Sequence, residues 1–292
     1  MSGVVPSIVP IPIEKVQGTV SASGQDLLAV EEPLQLRLNY VAEGVHQEED
    51  LSITMRTPGH DFEFAAGFLY TEGILQSVDQ IIEIKYTGPA AHPKQIRNTV
   101  TVFLKPDIGF NMDRLKRHFY VTSSCGVCGK ASIESIREIA RTVLSGDQPL
   151  MDAAVIHRLP QTLREAQAVF DRTGGLHAAA LFNAKGELVS LKEDVGRHNA
   201  VDKLIGAEFL KNRLPLTDHV MLVSGRASFE LVQKAIMAGI HLLAAIGAPS
   251  SLAVELALRF QMSLLGFVRE DRFNIYSGGW RIQGVQSADR GR

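Results

Sequence analysis

VMLVSGRASFELVQKAIMAGIHLLAAIGAPSSLAVELALRFQMSLLGFV, residues 220–268, carries the alternation that decides the fold. Short apolar runs at Val220–Val223, His241–Ile246 and Gly266–Val268 alternate with longer stretches, Phe229–Gly239 and Ser251–Leu264, in which apolar residues recur every three or four positions. The segment reads as strand, helix, strand, helix, strand. Such a run makes a parallel layer flanked by helices, because each helix returns the chain to the same end of the sheet. Its strand-to-helix loops gather at the carboxyl edge, where ligands bind in open α/β sheets. Here the loops are Ser224-Gly-Arg-Ala-Ser228 and Gly247-Ala-Pro-Ser-Ser251.

Upstream, Ala178–Phe182 and Glu187–Leu191 flank Asn183-Ala-Lys-Gly186 and read as a hairpin. Before it, Met151 to Phe170 is helical in pattern, with a bend or break expected at Pro160 and a stop at Thr173-Gly-Gly175. Earlier still, Ser-Ser-Cys-Gly-Val-Cys-Gly (123–129) leads into a helix with Ile133, Ile136, Ile139 and Val143 on one face. From Lys15 to Lys105 the rhythm is different. Leu34–Leu38, Leu51–Met55, Ile81–Ile84 and Thr99–Phe103 alternate with period two, interrupted by one helix whose Phe62, Ala65, Ala66 and Leu69 share a face. The expected organisation is therefore α/β, with a β-rich α+β domain at 15–118 and a larger domain at 119–292.

Composition narrows the class. With 45% hydrophobic against 21% charged residues, the chain resembles a globular protein rather than a disordered one. A net charge of −2 supplies no global field for nucleic acid, so no nucleic-acid partner is expected and any anion site is local. The most apolar stretch, Ala238–Val268, is interrupted by His241, Glu255 and Arg259, so no membrane partner is expected either. Met1–Ile13 holds three prolines and no Lys or Arg, unlike a secretory signal. The two cysteines lie in one CxxC, which suits a reducing cytoplasm better than a disulfide-stapled secreted domain.

Cys125-Gly-Val-Cys128 has three chemical readings: half a metal site, a dithiol redox pair, or a thiolate that carries sulfur. A zinc site needs two more ligands, and none of the nine histidines forms an H-x3–5-H pair, so no structural metal is expected. Lys130 and the start of the following helix favour a thiolate. Spacing alone leaves redox exchange and sulfur transfer both open, beside two inert buried cysteines. In Glu193-Asp-Val-Gly-Arg-His-Asn-Ala-Val-Asp-Lys203, Asp194, His198 and Asp202 offer an acid/base set, or else a capped helix with paired charges. Ser224-Gly-Arg226 suits a phosphate or is a plain turn. The loop Phe267-Val-Arg-Glu-Asp-Arg272 offers two arginine forks for phosphate, or a surface loop neutralised by Glu270 and Asp271.

Five motifs in order, Ser124-Cys-Gly-Val-Cys-Gly129, Thr173-Gly-Gly-Leu-His-Ala178, Glu193-Asp-Val-Gly-Arg-His-Asn199 with Asp202-Lys203, Ser224-Gly-Arg226 and Arg272-Phe-Asn-Ile-Tyr276, make the chain resemble the FdhD/NarQ family of formate dehydrogenase accessory sulfur carriers. The resemblance implies a cytidine-deaminase-like three-layer C-terminal domain and a homodimer. It implies a sulfurtransferase in which a cysteine desulfurase loads a persulfide on Cys125, with Cys128 relaying or resolving it. The sulfur passes to molybdenum bis(molybdopterin guanine dinucleotide), a bound substrate destined for formate dehydrogenase. The guanine-nucleotide contact maps onto Phe267, Val268, Arg269, Glu270, Asp271 and Arg272. A zinc deaminase is disfavoured, because His177 is followed by Ala178 and Ala179 rather than an acidic residue. The remaining alternatives are a cofactor-delivery chaperone and a thiol-disulfide oxidoreductase.

Overall fold

The computed structural model describes residues 6–88, 97–106, 108 and 149–286. The expected boundary between 118 and 119 lies outside them. The described residues group into two compact units, and the grouping is interleaved. Gln167–Ala178 and Lys192–Arg213, expected with the C-terminal domain, group with the N-terminal strands; residues 149–166, Ala179–Leu191 and the chain from Leu214 onward form the other unit. The architecture is mixed α/β with several sheets.

The first unit opens with a two-stranded ribbon, β1 (Ile8–Gln17) against β2 (Val20–Ala29). A four-stranded sheet follows, built from β3 (Glu32–Ala42), β4 (Val45–Arg56), β5 (Ile81–Tyr86) and β6 (Thr99–Leu104) in the order β4-β3-β6-β5. Leu34, Leu36 and Leu38 are fully buried, as their alternation demands. β4 departs from the simple pattern: Ile53 and Met55 face solvent at 71% and 47% exposure, while Arg56 is buried. A bulge between Leu36 and Arg37 shifts the pairing, and the Arg56 guanidinium turns inward to Asp61.

Helix α1 (Asp61–Thr71) buries Phe64, Ala65, Ala66 and Leu69. Phe64 replaces the expected Phe62, which is only half-buried and instead lies 5.0 Å from the Tyr86 ring. α1 packs on a later helix of the same unit, labelled α4 below (Arg197–Phe209), and the contact is made backbone to backbone. A methyl group on Gly67 would collide with the Asp202 carbonyl, and one on Gly206 with the Glu63 carbonyl. Only glycine permits this approach.

The second unit is built on a six-stranded sheet in the order β13-β12-β11-β10-β8-β9. Its strands are β8 (His177–Asn183), β9 (Leu188–Asp194), β10 (His219–Val223), β11 (Leu242–Ala245), β12 (Ser263–Gly266) and β13 (Asn274–Ser277), with the outer ends of β8 and β9 counted in the first unit. β10, β11 and β12 are parallel, joined through α5 (Phe229–Met237) and α6 (Ser251–Arg259). The strand, helix, strand expectation holds, with one shift. α6 stops at Arg259 rather than continuing to Leu264, and the last strand starts at Ser263 rather than Gly266. Gln261 adopts the left-handed conformation (φ 54°), and Met262 donates back to the Ala257 carbonyl at 2.9 Å, closing the helix as a glycine would.

Two short strands, β7 (Met151–Asp152) and β14 (Ile282–Gln283), pair in parallel, and α2 (Ala153–Ala166) follows β7. α2 runs through Pro160 without the expected break. Ile156, Leu159 and Leu163 lie on one face and are fully buried, and their burial offsets the hydrogen bond that proline cannot make. The break falls instead at Gln167, before α3 (Ala168–Thr173). Among the described residues no helix is long and apolar enough to cross a membrane.

Candidate functional site

The loops that follow β10, β11 and β12 lie side by side at the carboxyl edge of these strands. Each is tied to the next by backbone hydrogen bonds. Gly247 N donates to Gly225 O at 2.9 Å, Ala227 N to Ala248 O at 3.1 Å, Ser250 N to Ala227 O at 3.0 Å, and Phe267 N to Gly247 O at 3.1 Å. The packing is close enough to dictate residue type. A Cβ on Gly247 would lie 2.8 Å from Gly225 O, and one on Gly266 would lie 2.8 Å from Pro249 Cδ. Gly247 is required because backbone meets backbone there, and Gly266 because the Pro249 and Tyr276 side chains close over it.

On this base the Phe267–Arg272 loop has a defined shape. Phe267 sits at φ 55°, an uncommon conformation for a bulky residue, and its ring is 41% exposed while Val268 beside it is fully buried. Arg269 N donates to Arg272 O at 2.8 Å, closing the turn. Arg269 Nη1 donates to the carbonyls of Ile246 and Val268, each at 2.8 Å. His157, on α2, donates from Nδ1 to the Arg269 carbonyl at 3.0 Å and lies 5.0 Å from the Phe273 ring. Among the described residues neither Arg269 nor Arg272 pairs with Glu270 or Asp271, and Arg226, Arg269 and Arg272 are all exposed. Exposed guanidinium forks at one edge are groups able to pair with an anion. His157 is a supporting residue that the sequence reading missed, because nothing in a helical pattern marks which exposed histidine reaches a distant loop.

Cys125 and Cys128 lie outside the described residues. Asp194, His198 and Asp202 are within them, and two of the three are committed to the interior of the first unit. Asp194 is fully buried; it meets Lys203 Nζ at 2.6 Å and accepts from Thr57 N, Gly196 N and Asn199 Nδ2 at 3.2, 2.8 and 3.1 Å. Lys203 Nζ also donates to the Thr57 carbonyl at 2.8 Å, and Val195 N donates to Thr57 Oγ1 at 3.3 Å. The Thr57 peptide is thus held at its N–H, its C=O and its hydroxyl. Asp202 Oδ1 accepts from Thr71 Oγ1 at 2.9 Å. The paired-charge reading describes Asp194, whereas Asp202 is buried against a hydroxyl, and no side chain caps α4.

The same unit holds a second buried ion pair absent from the sequence reading. Arg56 Nη2 lies 2.9 Å from Asp61 Oδ2, both side chains 1% exposed, and Tyr86 Oη donates to the same oxygen at 2.9 Å. Burial and the Asp61 carboxylate together push the Tyr86 phenol well above its ordinary range. The available signal was the Thr57-Pro-Gly59 turn flanked by Arg56 and Asp61, a charged pair on either side of a forced bend. Nearby, Glu63 Oε1 lies 2.9 Å from His60 Nδ1 and 3.4 Å from Lys192 Nζ. The His60 hydrogen bond, with the Lys192 charge, lowers the Glu63 carboxyl to about 2 against the opposing effect of burial. Among the described residues no group of three or more His, Cys, Asp or Glu side chains is placed to hold a metal ion.

Residues 29–283 match the FdhD/NarQ family. A sulfur carrier protein FdhD of Streptomyces avermitilis is 51% identical over 259 residues, covering 88% of this chain and 89% of that one. One of Sulfolobus acidocaldarius is 42% identical over 272 residues, covering 93% and 97%. The fold is similar to that in a crystal structure of a candidate formate dehydrogenase accessory protein from Desulfotalea psychrophila, with a TM-score of 0.69 at 23% identity, covering 95% of this chain and 100% of that one. A match spanning nearly every described element, with relatives at half identity over most of both chains, establishes that this chain belongs to the FdhD/NarQ family.

Proposed function

We propose that this chain is a sulfur carrier serving formate dehydrogenase, acting as a sulfurtransferase through a persulfide on Cys125. The observation that carries the reading is the 51% identity, over 88% of the chain, to a relative named as a sulfur carrier protein. The chemistry balances as follows. The Cys125 thiolate attacks the outer sulfur of a desulfurase persulfide, forming Cys125–S–SH and releasing the desulfurase thiolate. The Cys128 thiolate then attacks the inner sulfur; the Cys125–Cys128 disulfide forms, hydrosulfide leaves, and the two electrons needed to make sulfide come from the two cysteines. A dithiol reductant resets the pair.

The recipient of the sulfide is molybdenum bis(molybdopterin guanine dinucleotide), held as substrate before delivery to formate dehydrogenase. Its guanine nucleotide is bound by Phe267–Arg272. The reading is supported by a glycine-lined carboxyl edge, by exposed Arg226 and Arg272, and by an Arg269 anchored through one nitrogen with its remaining donors open to phosphate. The cytidine-deaminase-like layering and the homodimer belong to the same reading. The sheet order, with β8 antiparallel to β10 and three parallel strands beyond it, supports the layering.

Intact-protein mass spectrometry after incubation with a cysteine desulfurase and cysteine tests the first step. We expect a gain of one sulfur, reversed by reductant and absent from Cys125→Ala. No gain with a demonstrably active desulfurase overturns the carrier mechanism and leaves a cofactor-delivery chaperone.

A further inference from the structure

Within the first unit, the start of α1 and the end of β9 meet at His60, Glu63 and Lys192. Asp194 accepts from Thr57 N at 3.2 Å, and this contact draws Lys192, two residues earlier on β9, toward His60, three residues beyond Thr57. His60 adopts the left-handed conformation (φ 59°), and its Nδ1 lies 2.9 Å from Glu63 Oε1. Lys192 Nζ lies 2.8 Å from the same Nδ1 and 3.4 Å from the same carboxylate oxygen. A plain lysine–carboxylate ion pair would reverse that order, with the ammonium closer to the carboxylate than to the imidazole. Nδ1 holds at most one proton. When it is bare it accepts from the Lys192 ammonium; when it is protonated it donates to Glu63 and leaves Lys192 with a lone pair. The two arrangements are the start and the end of one proton transfer from lysine to imidazole, with a carboxylate placed to hold the imidazolium that forms.

We propose that Lys192 is a nucleophilic lysine, activated by His60 and Glu63 and acylated by a small acyl phosphate. A nucleophile and a base within hydrogen-bond reach, with a third group orienting the base, is the arrangement that activates a weak nucleophile. His60 Nδ1 takes one proton from the ammonium, and Glu63 stabilises the imidazolium. The free amine adds to the acyl carbon. The C–N bond forms, the C–O bond to phosphate breaks, and phosphate leaves with the bonding pair and takes up the second amine proton. Burial, with the Lys211 and Lys203 charges, holds the amine below the ordinary lysine range against the opposing pull of Glu63. Lys203 is itself paired with Asp194, and Lys211 with Glu208. The Lys192 side chain is 11% exposed beside a His60 that is 55% exposed, so the electrophile is a small one, and Lys211 favours an anionic leaving group. Acylation removes the Lys192 charge and leaves Glu63 to His60 alone. The persulfide steps above use none of these residues.

The test is peptide mass spectrometry of the full chain after timed incubation with acetyl phosphate. Lys192 should acetylate about tenfold faster than Lys85 and Lys185, although both of those are exposed and Lys192 is recessed. As pH rises its rate should level off first, while theirs climb as ordinary amines do up to about pH 10. His60→Asn keeps a residue suited to the left-handed position; it should slow Lys192 about tenfold and leave Lys85 and Lys185 unchanged. Lys192 labelled no faster than Lys85 and Lys185 overturns the proposal and returns the cluster to a structural ion pair; that result is read on wild-type protein and does not depend on the variant folding. A Lys192 rate unchanged by His60→Asn overturns it as well.

Discussion

The Thr57–His60 turn of the first unit and the carboxyl-edge loops of the second use charge in opposite ways. In the first, Arg56, Asp61, Asp194 and Lys203 are all buried at 2% exposure or less, arranged as two ion pairs on either side of the Thr57–His60 turn. In the second, β10, β11 and β12 contain no Asp, Glu, Lys or Arg, and Arg226, Arg269 and Arg272 lie exposed on the loops at their ends, while the buried Lys234 and Arg281 sit outside those strands. Buried charge of the first kind holds a backbone bend in place at a cost in desolvation. Exposed charge of the second kind contributes little to folding and is available to a ligand. Substitution should therefore strike stability in one unit and binding in the other.

The sharpest test is Lys203→Met, which leaves Asp194 buried without its countercharge; we expect a loss of about 3–5 kcal/mol in urea unfolding. A loss below about 1 kcal/mol would show that the first unit does not depend on its buried pairs. Gly206→Ala comes next. The added methyl meets the Glu63 carbonyl and forces α1 and α4 apart, lowering stability by about 1–3 kcal/mol in the same assay. A smaller effect attaches to Glu63, whose carboxyl is held at about 2 against an ordinary 4.5. Its stabilisation is complete above pH 4.5 and is lost as pH falls from there toward 2. Because the side chain is 27% exposed, solvent screening reduces this to about 1 kcal/mol, and Glu63→Gln should remove that part of the acid dependence. At the other extreme, Arg272→Ala should change stability by less than about 0.5 kcal/mol while weakening guanine-nucleotide binding in calorimetry. A stability loss comparable to that of Lys203→Met would erase the distinction between the units.

What was legible in the sequence follows the same division. The alternation over residues 220–268 is readable because each strand is uniformly apolar and each helix has a clean stripe, so local pattern and burial agree. The pattern misled where a local rule was overridden. Gln261 ends α6 in a conformation that sequence reading assigns to glycine, and Pro160 stays inside α2 because three buried side chains outweigh one missing hydrogen bond. In β4 a bulge hides Arg56 and exposes Ile53, and nothing in the strand itself reports that Asp61 waits on the following helix. The glycines and arginines of the carboxyl-edge loops were identified as candidates; the role of Asp194 was not decided, because its partners Thr57 and Lys203 come from opposite sides of it in the chain.

The interleaving of the units has a consequence for anyone who would dissect this protein. Among the described residues the chain passes from one unit to the other after Ala166, Ala178, Leu191 and Arg213. No single cut in the gene separates them. A fragment ending before residue 192 would lack α4, the helix that packs against α1, and a fragment beginning at 119 would carry α4 without α1. The two units are therefore inherited, synthesised and lost together, and separating their activities requires point substitutions rather than truncation.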